Sequence, residues 1–174
     1  MLAAAFPELR AEQREALIPE FLARYGTAVC VLSRPFEGVE DVLWNIEARG
    51  ARWGVVTNKP EALARGVMEG VSFAARCAVL VGGDTLAKRK PDPEPLRHAC
   101  LQLGVEPTHA VYVGDDPRDV QAARAAGMKS IAAAWGYRAP TERIDEWGAD
   151  LVLESPLQLL IDGVLAPLRT EARV

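Results

Sequence analysis

Two rhythms of apolar and polar positions divide the chain near residue 35. Before it, Ile18, Phe21, Leu22 and Tyr25 recur at i, i+3, i+4 and i+7, the spacing of one buried helix face. Pro19 lies inside that pattern, so the helix starts there or kinks. Ser33-Arg34-Pro35 predicts a turn, and Pro35-Phe36-Glu37-Gly38 a link between two units, 1–34 and 35–174. Beyond the link the rhythm becomes helix face, glycine, short apolar run, polar loop. Val39, Val42, Leu43 and Ile46 make a helix face that Gly50 stops; Trp53-Gly54-Val55-Val56 predicts a strand ending in Thr57-Asn58-Lys59, with Pro60 placed to open the next helix. Ala78-Val79-Leu80-Val81 is a second strand, followed by a long loop over 82–91 and a helix from about Pro93 to Gly104. Ala110-Val111-Tyr112-Val113 is a third, running into Gly114-Asp115-Asp116 and a helix from Pro117 to Gly127. A fourth strand is expected over 130–134 and a short fifth over 150–153.

Short apolar strands alternating with longer amphipathic helices predict an α/β fold. It is a three-layer, Rossmann-like parallel sheet covered by helices on both sides. Ligands of such sheets bind beyond the carboxyl ends of the strands. The residues that follow the strands are therefore the candidates: Thr57-Asn58, the loop carrying Lys90, and Asp115-Asp116.

Composition narrows the partners. With 20 Lys and Arg against 24 Asp and Glu, the 174 residues carry a formal charge of −4, which lacks the footprint of a nucleic-acid binder. The longest stretch free of charged residues, 25–33, is about half of a membrane span. Three widely spaced cysteines and two histidines argue against a disulfide framework or a thiolate zinc site and for a reducing cytoplasm.

Gly114-Asp115-Asp116-Pro117-Arg118-Asp119 crowds three carboxylates at a strand end. Carboxylates so placed repel one another unless a cation neutralises them, and Mg²⁺, which takes one or two carboxylates plus waters and phosphate oxygens, suits them. The same residues can equally cap the helix opened by Pro117. Thr57 and Asn58, beside a helix N-terminus, can cradle a phosphate or cap the helix. Lys90, next to a rigid proline, can supply positive charge to a phosphoryl group, whereas Lys88, Arg89 and Lys59 read as solvated surface. Receiver-type signalling domains combine similar groups, but there the acidic pair comes first in the chain.

In the order found here, Thr57, Lys90 and Gly114-Asp115-Asp116-x-x-Asp119 resemble motifs two, three and four of the haloacid dehalogenase superfamily of phosphatases. The likeness runs from about Phe36 to the C-terminus. Trp53 to Pro60 and Lys90-Pro91-Asp92-Pro93 are similar to phosphoglycolate phosphatase-like members, and the segment from Trp135 to Asp150 to a branch acting on N-acetylmuramic acid 6-phosphate. Residues 1–34 resemble part of the family's helical cap. The resemblance implies a Mg²⁺-dependent phosphomonoesterase of a small phosphorylated metabolite, 2-phosphoglycolate or an amino-sugar phosphate. Thr57 and Asn58 would bind the phosphoryl group, Lys90 would neutralise it, and Asp115, Asp116 and Asp119 would hold or orient the metal.

The family's first motif, Asp-x-Asp-Gly-Thr, carries the attacking carboxylate on the central strand of the sheet. No Asp-x-Asp occurs in this chain. Two expectations follow. The chain represents an N-terminally incomplete enzyme or, in the other reading, a non-catalytic phosphate- or metal-binding or interaction module. The strands flanking the absent one also lose backbone partners, at about 1–3 kcal/mol for each group buried without one.

Overall fold

The N-terminal pattern produces two short helices, α1 (Ala11–Ala16) and α2 (Ile18–Gly26), in a computed structural model that describes residues 5–137 and 142–165. Pro19 stands in the first turn of α2, where a missing N–H costs nothing, so the helix starts there and is not kinked. Neither helix contains a buried residue. The segment after α2 packs on helix α4 (Glu61–Gly70) across two glycines. A Cβ on Gly66 would lie 2.9 Å from Val29 Cγ1, and one on Gly70 2.5 Å from Cys30 Sγ.

The second rhythm gives the α/β unit. Helix α3 (Val39–Ala48) leads into β1 (Val55–Val56), α4 into β2 (Leu80–Val81), α5 (Glu94–Leu103) into β3 (Val111–Gly114), and α6 (Pro117–Ala126) into β4 (Lys129–Ala133). A last strand, β5 (Leu151–Leu153), precedes a 3₁₀ turn, Pro156–Leu160. All pairings are parallel, as the alternation of strands and helices requires. The first two strands are shorter than the four-residue runs predicted. Their backbone bonds nevertheless reach from Ala78 N to Trp53 O (2.9 Å) at one end to Thr57 N to Val81 O (2.9 Å) at the other.

Alternation along β3 separates two layers. Val111 and Val113 pack with Val42, Ile131, Leu153 and Leu159 on the α3 side; Tyr112 and Val56 pack with Leu96, Ala122, Ala123 and Ala126 of α5 and α6 on the other. A third cluster, Val79, Val81 and Ala99, seats β2 on α5. No helix among the described residues is long and apolar enough to cross a membrane.

Among the described residues the sheet is in two pieces, β1-β2 and β3-β4-β5. Side chains join them where a strand does not. The Tyr112 hydroxyl and the Lys90 ammonium both donate to the carbonyl oxygen of Val56, each at 2.7 Å, while α5 packs against both pieces through Leu96 and Ala99.

Candidate active site

Beyond β1 the chain turns sharply. Thr57 Oγ1 accepts from the Lys59 amide at 3.1 Å, the Asx/ST-type bond that such turns favour, and Asn58 Nδ2 donates to the Lys90 carbonyl at 2.9 Å. Asn58 thus ties the β1 turn to the lysine loop. The loop after β2 comes equally close: Gly83 N donates to Lys59 O at 2.8 Å, and a side chain at Gly83 would collide with the Asn58 backbone. Asp84 accepts from the first amide of α4 at 2.7 Å, and Thr85 donates to Glu61 at 2.6 Å. The Thr85 and Arg65 bonds hold the Glu61 carboxyl below the usual carboxylate range.

Lys90 lies at the end of that loop, before a cis bond to Pro91, and is 8% exposed. Its ammonium makes three bonds of 2.7 Å, to Val56 O, Tyr112 Oη and Asp119 Oδ1. An ammonium has three hydrogens, so all are committed. Asp119 is 6% exposed, and its other oxygen accepts from the Asp116 amide at 3.2 Å. Burial pushes the Tyr112 phenol well above its ordinary range, and the Asp119 and Asp115 carboxylates push it further. Gly114 is required here, because any Cβ would strike Asp119.

The three acidic residues therefore have separate surroundings. Asp116 is the N-cap of α6: it accepts from the Arg118 amide at 2.9 Å and pairs with the Arg118 guanidinium at 2.6 Å. That bonding holds its carboxyl below the usual range. Asp119 faces Lys90. Asp115 Oδ2 accepts from the Tyr137 amide at 2.9 Å, and Gly136 presses so closely on Asp115 that a side chain there would collide with it. No group of three acidic, histidine or cysteine side chains gathered as for a metal ion occurs among the described residues. The three-carboxylate set expected from the sequence is thus distributed among an arginine, a lysine and a backbone amide. Mg²⁺ takes one or two carboxylates, and Asp115, with no arginine or lysine partner among its described contacts, fits as one of them.

Thr57, Asn58, Lys90 and the acidic loop all belong to the carboxyl ends of parallel strands, with Lys90 bonded to both β1 and β3. Sequence reasoning missed Tyr112, whose hydroxyl fixes Lys90; a lone polar tip inside the run Val111–Gly114 was the available signal. Lys59, expected on the surface, donates to Tyr25 Oη at 2.6 Å and lies 4.7 Å from the center of that ring, linking the turn to α2. Lys88 pairs with Asp92 at 3.2 Å, on the outside.

Comparison with known proteins decides the family. A model described as "Haloacid dehalogenase-like hydrolase" matches residues 2–133, well over half of the chain. The chain belongs to the haloacid dehalogenase-like hydrolase family. Within this family it is 54% identical over 156 residues to a phosphoglycolate phosphatase of Xylella fastidiosa, covering 90% of this chain and 68% of that one. It is 44% identical over 161 residues to an N-acetylmuramic acid 6-phosphate phosphatase of Pseudomonas aeruginosa, covering 92% and 71%. The crystal structure of a predicted phosphoglycolate phosphatase from Haemophilus somnus superposes with a TM-score of 0.79 at 27% identity, over 88% of this chain and 68% of the other. The parallel α/β architecture read from the sequence is that of this family.

Proposed function

We propose that this site handles the phosphoryl group of a small phosphate monoester, as part of a Mg²⁺-dependent phosphoric monoester hydrolase of the cytoplasm. The phosphatases to which the chain is similar support 2-phosphoglycolate or an amino-sugar phosphate such as N-acetylmuramic acid 6-phosphate as substrate. Three free cysteines, Cys30, Cys77 and Cys100, suit a reducing compartment. The observation that carries the reading is the Lys90 ammonium, buried at the strand ends beside the Thr57 turn.

Each group then has a task. Lys90 offsets the charge of the phosphoryl oxygens, an interaction that low solvent exposure strengthens. Thr57, whose oxygen already accepts from Lys59, has its hydroxyl proton to donate to one of those oxygens. Asn58 positions the lysine loop, Asp119 and Tyr112 hold the ammonium on its aim, and Asp116 caps the helix that presents Asp119. Asp115 is the carboxylate we assign to the metal. Mg²⁺ supplies charge screening and polarisation of phosphoryl oxygens when bound. With no Asp-x-Asp in the sequence, the attacking carboxylate of the family's mechanism lies outside these residues. The same fact favours a second reading, a module that binds phosphate without turning it over.

One assay separates the two. Hydrolysis of p-nitrophenyl phosphate with Mg²⁺ by this chain extended upstream through an Asp-x-Asp segment, abolished by Asp115→Asn, supports the hydrolase. Saturable binding of inorganic phosphate without turnover by either form supports the binding module. A chain that neither binds phosphate nor hydrolyses the ester overturns both.

A further inference from the structure

Beside Asp115 the surface carries a pair of aromatic rings that none of the chemistry above uses. Phe36 and Tyr137 meet at a centroid distance of 5.6 Å and an interplanar angle of 53°. Both face solvent, Phe36 with 40% and Tyr137 with 87% of its surface exposed. Together they present a contiguous aromatic surface to solvent, of the kind that stacks on the apolar face of a ligand ring.

Their backbones are fixed, and fixed to the site. The loop after β4 is anchored by Trp135, which packs on the core cluster of Ile131 and Leu153. Gly136 then lies against the Asp115 side chain, and the Tyr137 amide donates to Asp115 Oδ2. With its amide pinned on the carboxylate, Tyr137 extends its ring outward. From the other side Phe36 stands on the link before α3, where its carbonyl accepts from the Val39 amide at 3.1 Å. The next glycine, Gly38, has φ +82° and lies so close to Leu157 that a Cβ would sit 2.7 Å from its Cγ. The backbones that carry the two rings thus stand at a set position relative to the carboxylate assigned to the metal.

We propose that Phe36 and Tyr137 form an apolar platform for the ring of a cyclic sugar phosphate, and so select a phosphosugar over 2-phosphoglycolate. The inference rests on the phosphate-site reading above and specifies its substrate class. The faces of a pyranose expose C–H groups of slight positive charge, which complement the negative face of an aromatic ring. The two-carbon 2-phosphoglycolate has no such face. Its carboxylate, set against aromatic faces that offer it no hydrogen bond and carry partial negative charge, would gain nothing from the platform.

The test is calorimetric titration of the full chain, with Mg²⁺, using inorganic phosphate, 2-phosphoglycolate and N-acetylglucosamine 6-phosphate as probes. The wild-type chain is expected to bind the sugar phosphate about tenfold more tightly than 2-phosphoglycolate, the size of one good aromatic contact. Tyr137→Ala and Phe36→Ala should bring that ratio close to one, and Tyr137→Phe, which keeps the ring and the backbone amide, should preserve it. Equal affinities in the wild type, or a preference that survives both alanine substitutions, overturns the platform while phosphate binding leaves the site reading intact. Failure of the wild type to bind inorganic phosphate at all overturns both.

Discussion

Lys90 and Asp119 face each other at 2.7 Å with only 9% of each side chain exposed, so either charge left alone would be buried and unpaired. Lys90→Ala should therefore lower stability in urea unfolding by about 3–5 kcal/mol, and adding Asp119→Asn should restore part of it by removing the stranded charge. An unchanged midpoint in the single variant would show that the pair is solvated in solution. The positions of Thr57 and Asp115 were legible in the sequence because each directly follows a strand, and that of Lys90 because Pro91 marks the end of the loop after β2. Their partners were not. Which carboxylate meets Lys90 depends on the seating of α6 on β3. Three acidic residues that look alike in a row point in different directions once Pro117 starts a helix at that point. Tyr112 was hidden for the opposite reason, since a tyrosine between two valines reads as an ordinary half-buried strand residue.

At the scale of elements, β4 and β5 are locked by more than their ladder. Ser130, 1% exposed, donates to Asp150 Oδ2 from both its amide and its hydroxyl at 2.7 Å, and the Asp150 amide donates back to Ser130 Oγ at 3.2 Å. The Ser130 amide first, then its hydroxyl, holds the Asp150 carboxyl below the usual range. A depressed carboxyl keeps the folded form ionised at pH values where the unfolded form is protonated. The contribution is thus complete above about pH 4 and fades as the pH falls below it. Asp150→Asn should cost about 1 kcal/mol at pH 7, the usual value for bonds to a charged group reduced for the exposure of this carboxylate, and almost nothing near pH 2. Thermal unfolding of both proteins at the two pH values measures this, and an equal loss at both would remove the charge from the account. Helix starts at Pro19 and Pro117 and stops at Gly104 and Gly127 could be read from the chain, because those residues act locally. Strand lengths could not: Val55–Val56 and Leu80–Val81 are as short as they are because pairing is a property of two distant segments.

For the molecule as a whole, burial is uneven. α1 and α2 bury no side chain, whereas Ile131, Ala132 and Ala133 of β4 are 5% exposed or less. Hydrogen exchange should follow that gradient, with the amides of α2 exchanging orders of magnitude faster than those of β4. Comparable protection in both would mean that the N-terminal helices are held by contacts stronger than the Lys59–Tyr25 bond and the glycine-lined packing on α4. The division of the sheet has a consequence for any anion that enters. The ammonium that would receive it has no hydrogen to offer without releasing the Val56 carbonyl on one half, the Tyr112 hydroxyl on the other, or the carboxylate between them. Admitting such a guest would then loosen one of the three bonds of this brace, while the Tyr112 hydroxyl on Val56 and the seat of α5 keep the two half-sheets together.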